Sequence, residues 1–486
     1  MGLMTTRRLT SLLAAAGLVA AACAPSAPPS PTSAPPPAAT SAPAPKPTEA
    51  PKPAATTAPA AAPTTAPAAK PTEAAAKPAA TTAPAAAPAP AIKPAPAGRL
   101  EIFSWWTTGG EAAGLLALFD MYKKQNPGVD VINATVAGGA GSNAKAVLKT
   151  RMLGGDPPDS FQVHMGHELI DTWVTSDKME PLDALYTEMG FDKQFPKGVL
   201  DIVSYQGKPY SVPVNIHRAN VLWYNKKVFN DASLKPPATF EDFFAAADTL
   251  KGKGITPLAM GDKEAFASVQ LLETVLIGTL GADGYNGLWT GKTPWTDAKV
   301  TQSLETTKKM LSYVNNDHAG LTWDQANDLI IGGKAGMTVM GDWIDGDYVS
   351  KKFGDYGWIE APGNKGTYDA LSDTFGLPKG AKDREQVLNW LRLIGTSEAQ
   401  DTFNPLKGSI PANINAGKGN YDQYLQSALQ DWKSQTIVPS LAHGAAASEG
   451  WVTAITDAVS VFVTRQDVAS TQAALQQACV DAKVCK

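Results

Sequence analysis

Metal-ligating residues are scarce in this sequence. Its 486 residues include only 5 His and 3 Cys, which leaves little material for a site built from several imidazole or thiolate ligands. Charged residues are also few, at 18%, and the net charge is −4. Because a nucleic-acid-binding protein needs a basic face, the composition argues against that class. We therefore expect no metal, no cofactor and no nucleic-acid partner.

Several catalytic signatures are absent as well. The sequence contains no Gly-x-x-x-x-Gly-Lys-Ser/Thr phosphate loop, no His-Glu-x-x-His zinc motif and no Gly-x-Ser-x-Gly nucleophile elbow. The glycine-rich run at 137–141 lacks the spacing of a dinucleotide-binding loop. A protein that only binds its ligand needs none of these motifs, and we expect this chain not to be an enzyme.

The first 22 residues are typical of an export signal. Arg7 and Arg8 precede a mostly apolar stretch at 9–22, which is shorter than the roughly 20 apolar residues that span a membrane. The small residues before Cys23 resemble a bacterial lipobox, although Ala20 stands where Leu is usual. This resemblance implies cleavage after residue 22 and a lipid on Cys23. An ordinary secretory signal with an incidental Cys is the alternative, and the arginine pair leaves Sec and twin-arginine export both open.

A low-complexity segment follows the signal. Residues 24–97 hold 22 Pro and 30 Ala in 74 positions, with no aromatic residue and Ile92 as the one large aliphatic. Such a chain buries too little apolar surface to offset the entropy lost on ordering. We expect residues 23–98 to form a lipidated, disordered tether. Fully extended at roughly 3.1 Å per residue, it would reach on the order of 230 Å.

The remaining residues, from about Arg99, alternate between strand and helix patterns. Apolar runs at 100–105, 129–134 and 160–164 predict strands, and the patterns at 111–125 and 143–152 predict helices. This alternation predicts parallel pairing and an α/β fold. Ligands of such sheets collect beyond the carboxyl ends of the strands, where Trp105, Trp106, Gln162 and His164 lie.

Eight motifs in this part of the chain are similar to those of glucose/mannose-binding proteins of bacterial ABC sugar importers. They are Phe103–Trp106 with Gly109–Glu111, Gly138–Gly141, Leu148–Asp159, Pro213–Arg218, Met340–Trp343, Leu371–Pro378, Asn404–Ile410 and Leu441–Gly444. Each motif alone is weak, but their order and spacing cover essentially the whole globular part.

The resemblance implies a two-lobed, maltose-binding-protein-like fold of the type II periplasmic class, with a ligand cleft between the lobes. We expect residues 99–212 and 370–406 to form lobe I, and residues 213–369 and 407–486 to form lobe II. The chain would then cross between lobes three times, near 212–215, 370 and 407. Closure of the lobes would follow a hinge motion.

A hexose offers hydroxyl groups at its rim and apolar C–H faces, so its site needs aromatic plates and a ring of hydrogen-bonding groups. The residues expected to bind it are Trp105, Trp106, Glu111, Gln162, His164, Trp343, Asp373, Lys407 and His443. Each has a structural alternative: core packing for the Trp side chains, a helix-start acid for Glu111, a turn for Asp373 and a surface charge for Lys407. Alternation along a strand end suggests that only one of Trp105 and Trp106 faces the ligand, whereas Gln162 and His164 can both face it. His217 is expected to lie in the core or in solvent.

One position departs from the family pattern. Relatives usually carry a Trp after the Gly-acidic pair that here is Gly261-Asp262, and this chain has Phe266 nearby instead. The change leaves the size of the sugar open, so a disaccharide is an alternative to a monosaccharide.

Cys479 and Cys485 are six residues apart near the end of the sequence. In an exported protein this spacing suggests a local disulfide, and two free thiols are the alternative.

Together these features predict an extracytoplasmic, lipid-anchored receptor of an ABC importer. It would act as a monomer, bind glucose or, alternatively, another hexose such as mannose or galactose without reaction, and deliver the sugar to membrane permease subunits. An extracellular glycoside hydrolase would need two flanking carboxylates, for which Glu111 and Asp373 could be mistaken. A surface adhesin on a stalk is the third interpretation.

Overall fold

The structure is a computed structural model that describes residues 92–486. The predicted signal peptide, Cys23 and nearly all of the predicted tether lie outside the described residues. The described residues belong to one compact unit. Within them, no helix is long and apolar enough to cross a membrane.

Fourteen β-strands occur within residues 92–486. They are β1 (Gly98–Phe103), β2 (Val129–Asn133), β3 (Ser160–His164), β4 (Ser204–Tyr205), β5 (Lys208–Pro209), β6 (Ser211–Pro213), β7 (His217–Arg218), β8 (Val221–Asn225), β9 (Thr256–Leu258), β10 (Ala335–Met340), β11 (Tyr356–Glu360), β12 (Thr367–Leu371), β13 (Asp373–Gly376) and β14 (Thr436–Pro439).

Sixteen α-helices occupy the same range. They are α1 (Gly109–Gln125), α2 (Ser142–Leu153), α3 (His167–Leu169), α4 (Asp183–Met189), α5 (Lys197–Ile202), α6 (Lys226–Asp231), α7 (Phe240–Gly252), α8 (Phe266–Trp289), α9 (Ala298–Leu311), α10 (Trp323–Ile331), α11 (Trp343–Ser350), α12 (Arg384–Ile394), α13 (Ser397–Lys407), α14 (Gln423–Ser434), α15 (Glu449–Arg465) and α16 (Val468–Asp481). Short 3-10 turns lie at Gly139–Gly141, Phe191–Lys193 and His318–Gly320, and a π-helical turn lies at Ile170–Val174.

The first five predicted elements are confirmed. β1, α1, β2, α2 and β3 fall within about two residues of the predicted bounds. The helix α1 ends where the sequence places Asn126-Pro127-Gly128, since Pro cannot continue the hydrogen-bond ladder of a helix. All five residues of β3 are buried, as expected for a strand inside a mostly parallel sheet covered on both faces.

A five-stranded sheet has the order β2-β1-β3-β13-β6. The strands β2, β1 and β3 run parallel, whereas β13 is antiparallel to both β3 and β6. The register places Asp373 of β13 opposite His164 of β3. Two residues that are 209 positions apart in the sequence, at the ends of two strands, therefore meet at one edge of this sheet.

A four-stranded sheet, β11-β8-β10-β9, and a three-stranded sheet, β14-β12-β7, form on the other side of the molecule. The chain passes from the five-stranded sheet to the three-stranded one between β6 and β7, and returns at Ser372 between β12 and β13. These are the positions where the first two crossings are predicted. The fold is thus the two-lobed α/β fold of the maltose-binding-protein-like type that the sequence predicts.

The lobe bounds remain a prediction, and this includes the third crossing. After Lys407 the chain keeps hydrogen bonds to residues of predicted lobe I: the Asn413 amide donates to the carbonyl of Gly395 at 2.8 Å, and the N–H of Gly417 donates to Asp401 at 2.8 Å. The same segment also contacts predicted lobe II, since Ile410 and Ile216 exchange backbone hydrogen bonds and the Tyr356 hydroxyl donates to Asp422 at 3.1 Å. The third crossing near 407 stays a prediction.

A separate apolar core lies under the helices α8, α9, α15 and α16 and includes Trp295, Trp451 and Phe462. Cys479, fully buried in this core, is joined by a disulfide to Cys485. This bond closes the short segment that follows α16, on the side of the molecule formed by α8 and α9.

Candidate functional site

A cavity of about 180 Å³ lies where the five-stranded sheet faces the other sheets. Eight of the nine predicted ligand-binding residues line it: Trp105, Trp106, Glu111, His164, Trp343, Asp373, Lys407 and His443. They come from loops and element ends far apart in the sequence, and the topology of the crossings brings them together.

Trp105 and Trp106 follow the end of β1, and both line the cavity. Both can do so because β1 ends at Phe103 and the alternation of a strand no longer applies beyond it. Which of the two indoles faces the ligand stays a prediction. The Trp105 ring packs against His164, with centroids 5.0 Å apart. The Trp106 ring packs against Phe403 at 5.1 Å, so each indole is held in one orientation.

Glu111 and Lys407 form a buried ion pair. Lys407 Nζ donates to Glu111 Oε1 at 2.9 Å. Glu111 lies in the first turn of α1 and Lys407 in the last turn of α13, where the helix dipoles favour an acid and a base respectively. Burial raises the pKa of the Glu111 carboxyl, and the charge of Lys407 partly offsets that effect.

Asp373 is anchored on both carboxylate oxygens. The Gln162 amide donates to Oδ1 at 2.7 Å, and the Asn215 amide donates to Oδ2 at 2.8 Å. Burial alone would raise the pKa of Asp373, but the hydrogen bond and charge of His217 and the charge of Lys407 outweigh it and hold this pKa well below its ordinary value. Asp373 is therefore a fixed carboxylate with lone pairs left for a ligand.

Gln162, predicted to face the ligand together with His164, does not line this cavity, and its contact with a ligand stays a prediction. Its amide oxygen accepts from the backbone N–H of Trp105 at 3.2 Å, and its amide nitrogen donates to Asp373. Gln162 thus fixes two residues of the cavity wall from behind.

His164 is held by a second buried acid. Its Nδ1 lies 2.8 Å from Glu168 Oε2, and Lys145 Nζ lies 2.7 Å from the same oxygen. Although burial opposes it, the charges of Lys145 and His164 lower the pKa of Glu168 to about 2. A carboxylate at Nδ1 makes that nitrogen the proton-bearing one, which leaves Nε2 of His164 directed toward Asp373, at 3.7 Å.

Trp343 and His443 line the opposite wall. Trp343 is the first residue of α11, and its ring packs between His217 and His443, with centroids 5.5 Å and 5.1 Å away. His443 lies in the loop between β14 and α15, and its Nδ1 is 2.9 Å from the Ser440 hydroxyl. Burial lowers the pKa of His443 well below its ordinary value, so its ring is neutral at neutral pH.

His217 also lines the cavity, contrary to the expectation that it lies in the core or in solvent without a role. Its Nδ1 contacts Asp342, and its Nε2 is 3.4 Å from Asp373. Burial and Lys407 oppose protonation, but the two carboxylates outweigh them and raise the pKa of His217. His217 belongs to the motif at 213–218, and its position directly after the first crossing between the lobes is the signal that could have identified it.

The glycine-rich run and the start of α8 form the mouth of the cavity. A Cβ atom placed on Gly139 would lie 2.5 Å from Phe266 Cε1, so these two residues are in contact across the cleft. Lys263, Glu264, Thr322 and Trp323 line the same region. No sequence motif marks these four residues, so the sequence did not single them out as it did Phe266.

A second cavity, of about 390 Å³, lies behind Trp105. Trp105 forms part of the wall of both cavities. Gln162, Glu168 and Trp173 line the second cavity only. Most of its polar side chains are paired with one another, for example Thr172 with Glu449 at 3.3 Å.

The first cavity combines aromatic faces, fixed carboxylates, a lysine and neutral or charged imidazoles between two lobes. Among residues 92–486, no three His, Cys, Asp or Glu side chains are grouped as metal ligands. Fold and site together define a two-lobed receptor that encloses a polar solute.

Comparison with known proteins identifies the family. Residues 105–401 match the model of the bacterial extracellular solute-binding proteins, and the chain belongs to this family. An uncharacterised ABC transporter extracellular-binding protein of Pyrococcus horikoshii is 39% identical over 376 residues, covering 76% of this chain and 84% of that protein. A probable sugar-binding periplasmic protein of Rhizobium meliloti is 31% identical over 76% of this chain and 89% of its own length.

A more distant relative, the glucose-binding protein of Saccharolobus solfataricus, is 24% identical over 67% of this chain and 62% of its own length. Among solved structures, the bacterial solute receptor AcbH, whose structure report describes an exclusive preference for β-D-galactopyranose, superimposes with a TM-score of 0.71. Its sequence identity is 20%, over 79% of this chain and 98% of that one. This likeness shows the shared fold.

Proposed function

We propose that this protein is the sugar receptor of an ABC importer. It binds one monosaccharide, glucose or a close relative such as mannose or galactose, without reaction, and delivers it to the permease. The observation that carries the proposal is the lining of one cavity by four Trp side chains, Trp105, Trp106, Trp323 and Trp343, with an anchored carboxylate at Asp373.

The aromatic rings match the apolar faces of a pyranose. Trp105 and Trp106 come from one side of the cavity and Trp343 from the other, so a sugar ring between them would have its C–H faces against indole surfaces. Neighbouring Phe403 and the two His rings fix these indoles in place before the ligand arrives. Pre-organised contacts of this kind lower the entropic cost of binding.

The polar groups match the rim of the sugar. Asp373 keeps its negative charge, and one carboxylate can accept hydrogen bonds from two neighbouring hydroxyls. Lys407 Nζ has donors beyond the one given to Glu111. A neutral imidazole at His443 adds one further hydrogen-bonding nitrogen.

The size of the cavity favours a monosaccharide. The volume of about 180 Å³ is less than half of the 390 Å³ behind Trp105. Gly139 and Phe266, which both line the first cavity, approach each other closely. A disaccharide is the alternative, since Phe266 stands near the usual Trp position and further space lies behind Trp105.

The relatives support a sugar as the solute, because one is named as a probable sugar-binding periplasmic protein and another as a glucose-binding protein. The two carboxylates of the site do not support a hydrolase. Glu111 is tied to Lys407 and Asp373 to two amides, whereas a glycosidase needs one carboxylic acid free to protonate the leaving group.

Isothermal titration of the full chain tests the proposal. Glucose, mannose, galactose, xylose and two disaccharides, maltose and lactose, form the panel, and we expect measurable heat with at least one monosaccharide and weaker or no binding of disaccharides. Asp373→Asn should reduce the affinity at least about tenfold because a charged acceptor is lost. Asp177→Asn, which removes an exposed carboxylate paired with Lys379, is the control and should bind as the wild type does.

Absence of binding to every sugar of the panel would refute the proposal. A stronger response to a disaccharide than to all monosaccharides would support the alternative. Release of product from a chromogenic glycoside would instead indicate an enzyme.

We further propose that the receptor is a monomer anchored by a lipid on Cys23 through the Pro/Ala-rich tether. The lipobox-like sequence before Cys23 is the only support for the lipid anchor. Partitioning of the expressed protein into a detergent phase should be lost in Cys23→Ser, and equal partitioning of both proteins would refute the anchor. Sedimentation of the Cys23→Ser protein measures its oligomeric state.

A further inference from the structure

Two fully buried carboxyl groups lie behind the loop that carries His443. Glu273 of α8 and Asp369 of β12 have no exposed surface, and neither lines the sugar cavity. Burying two acids together is costly unless the charge is shared or compensated, so their position calls for a function beyond packing.

Glu273 is held by four donors. The Tyr285 hydroxyl donates to Oε1 at 2.7 Å, and the backbone N–H of Leu441 donates to the same oxygen. The N–H of Ala442 donates to Oε2 at 3.2 Å, and the Ser440 hydroxyl does so at 3.3 Å. Three of these four donors belong to residues 440–442, so the carboxylate fixes the loop immediately before His443.

Asp369 lies next to Glu273, and neither of its oxygens has a hydrogen-bond partner among residues 92–486. Two neighbouring buried carboxyl groups are not both charged, because like charges at close range repel each other. Burial raises the pKa of both groups, and that of Asp369 well above its ordinary value. Since Glu273 accepts four hydrogen bonds and Asp369 accepts none, Asp369 holds the proton and Glu273 remains a carboxylate. Arg218, the nearby cation, is engaged by Asp431 at 2.9 Å and does not pair with Asp369.

The orientation of the Ser440 hydroxyl follows from the charge on Glu273. A hydroxyl has one proton, and the Ser440 oxygen lies near both Glu273 Oε2 and His443 Nδ1. The charged carboxylate is the stronger acceptor, so the hydroxyl donates to it. The Ser440 oxygen then accepts from His443, which places the imidazole proton on Nδ1.

The tautomer decides what His443 offers to the cavity. Its Nε2 makes no hydrogen bond to residues 92–486, and the ring lines the sugar cavity. With the proton on Nδ1, Nε2 is an acceptor. We propose that Glu273 is a positioning residue of the sugar site, which acts through Ser440 to keep His443 an acceptor for one ligand hydroxyl. This inference rests on the proposed function for the identity of the ligand.

Nitrogen-15 NMR of the full chain with labelled histidine tests the tautomer directly and needs no sugar. His443→Gln identifies the signals of His443 by their loss. In the wild type we expect the Nδ1–H form near pH 7, where the neighbouring charged or titratable groups are His164, His217, Lys145 and Asp373. Observation of the Nε2–H form would overturn the proposal.

Glu273→Gln and Asp369→Asn are a matched pair of variants. In Glu273→Gln the new amide group donates to Ser440, whose hydroxyl then turns to His443, so the proton should move to Nε2. Asp369→Asn keeps a neutral group beside Glu273 and should leave the tautomer unchanged. An unchanged tautomer in folded Glu273→Gln would refute the role of Glu273. If that variant does not fold, Ser440→Ala serves instead, and retention of pure Nδ1–H there would equally refute it.

Sugar affinity gives the functional readout. Glu273→Gln should bind the preferred sugar about 5- to 100-fold more weakly, since a donor then faces the ligand's donor, while Asp369→Asn should stay within about twofold of the wild type. Deoxyfluoro analogues locate the hydroxyl: at one position, fluorine should weaken wild-type binding but have little further effect in Glu273→Gln.

The outcomes separate the two proposals. If the wild type binds no sugar but Glu273→Gln changes the tautomer of His443, the sugar receptor is refuted and the relay from Glu273 to His443 is retained. A wild type that binds sugar with the same affinity and the same fluorine profile as Glu273→Gln would refute the positioning role alone.

Discussion

Lys407 Nζ lies 2.9 Å from Glu111 Oε1, and their side chains are only 2% and 13% exposed. The pair joins the last turn of α13 to the first turn of α1 at the cavity wall. Lys407 Nζ also lies 5.4 Å from the Trp106 ring and 5.9 Å from the Trp343 ring, within the range of cation–π attraction. Lys407 thus contacts one acid, Glu111, and one indole from each wall of the cavity.

Lys407→Met should therefore be strongly destabilising. Removal of one member of a buried pair leaves the other charge uncompensated, which costs about 3–5 kcal/mol. Burial already raises the pKa of Glu111, and the loss of Lys407 should raise it further, so the variant should gain stability as the pH falls and Glu111 becomes protonated. Urea unfolding at pH 7 and pH 5 measures both effects. The double variant Glu111→Gln/Lys407→Met should recover much of the loss, and equal instability of single and double variants would contradict the explanation.

The stabilising contribution of His217 should decrease as the pH rises, whereas that of a salt-bridged acid decreases as the pH falls. Its pKa is raised in the folded state by Asp342 and Asp373, so its stabilising contribution is complete below about pH 6.5, the ordinary imidazole value. This contribution is lost as the pH rises through the raised pKa. The difference in unfolding free energy between the wild type and His217→Gln should shrink as the pH is increased from 6 upward.

His167→Gln is the control for that measurement. His167 pairs with Asp171 on the surface, where both side chains are more than 40% exposed, and such pairs contribute little. A pH profile of His217→Gln parallel to that of the wild type would show that His217 is not the titrating group.

Gly139→Ala tests closure of the cavity mouth. The backbone of Gly139 lies outside the left-handed region, so alanine is tolerated by the chain, but its Cβ would lie 2.5 Å from Phe266. We expect weaker sugar binding, by about tenfold, with little change in the stability of the ligand-free protein. Gly354→Ala, where no atom lies within 4 Å of the added Cβ, should leave affinity unchanged. The double variant Gly139→Ala/Phe266→Ala should relieve the clash, and failure to regain any affinity would argue against it.

The disulfide should matter for stability and not for binding. Cys479 and Cys485 close a loop of a few residues, for which loop-closure entropy predicts about 2 kcal/mol. Cys485→Ser should lower the melting temperature while sugar affinity stays unchanged, because neither cysteine lines the cavity. A change in affinity on removal of the disulfide would reveal coupling between the C-terminal helix and the site.

The early part of the fold was predictable from sequence because α1, α2 and the first three strands are local patterns with clear stop signals. The β13 strand and its pairing with β3 were not, since antiparallel pairing between residues some 210 positions apart leaves no local signal. The third crossing stays a prediction, because after Lys407 the chain contacts both predicted lobes: Asn413 donates to Gln194 and Gly395, whereas Ile410 pairs with Ile216.

Sequence alone singled out eight residues that line the first cavity, among them Trp343 and Asp373, and their role in ligand binding stays a prediction. Gln162 and His217 show what sequence alone leaves out. Polarity at a strand end singled out Gln162, whose amide bonds to Trp105 and Asp373 behind the cavity. His217, which lines the cavity, was expected in the core or in solvent.

Trp105 separates two spaces of unequal size, about 180 Å³ in front and about 390 Å³ behind. A shorter side chain at this single position would merge them. A substitution of Trp105 alone could therefore make room for a longer ligand without a change in either lobe. A receptor for larger solutes could then evolve from this one by a single substitution.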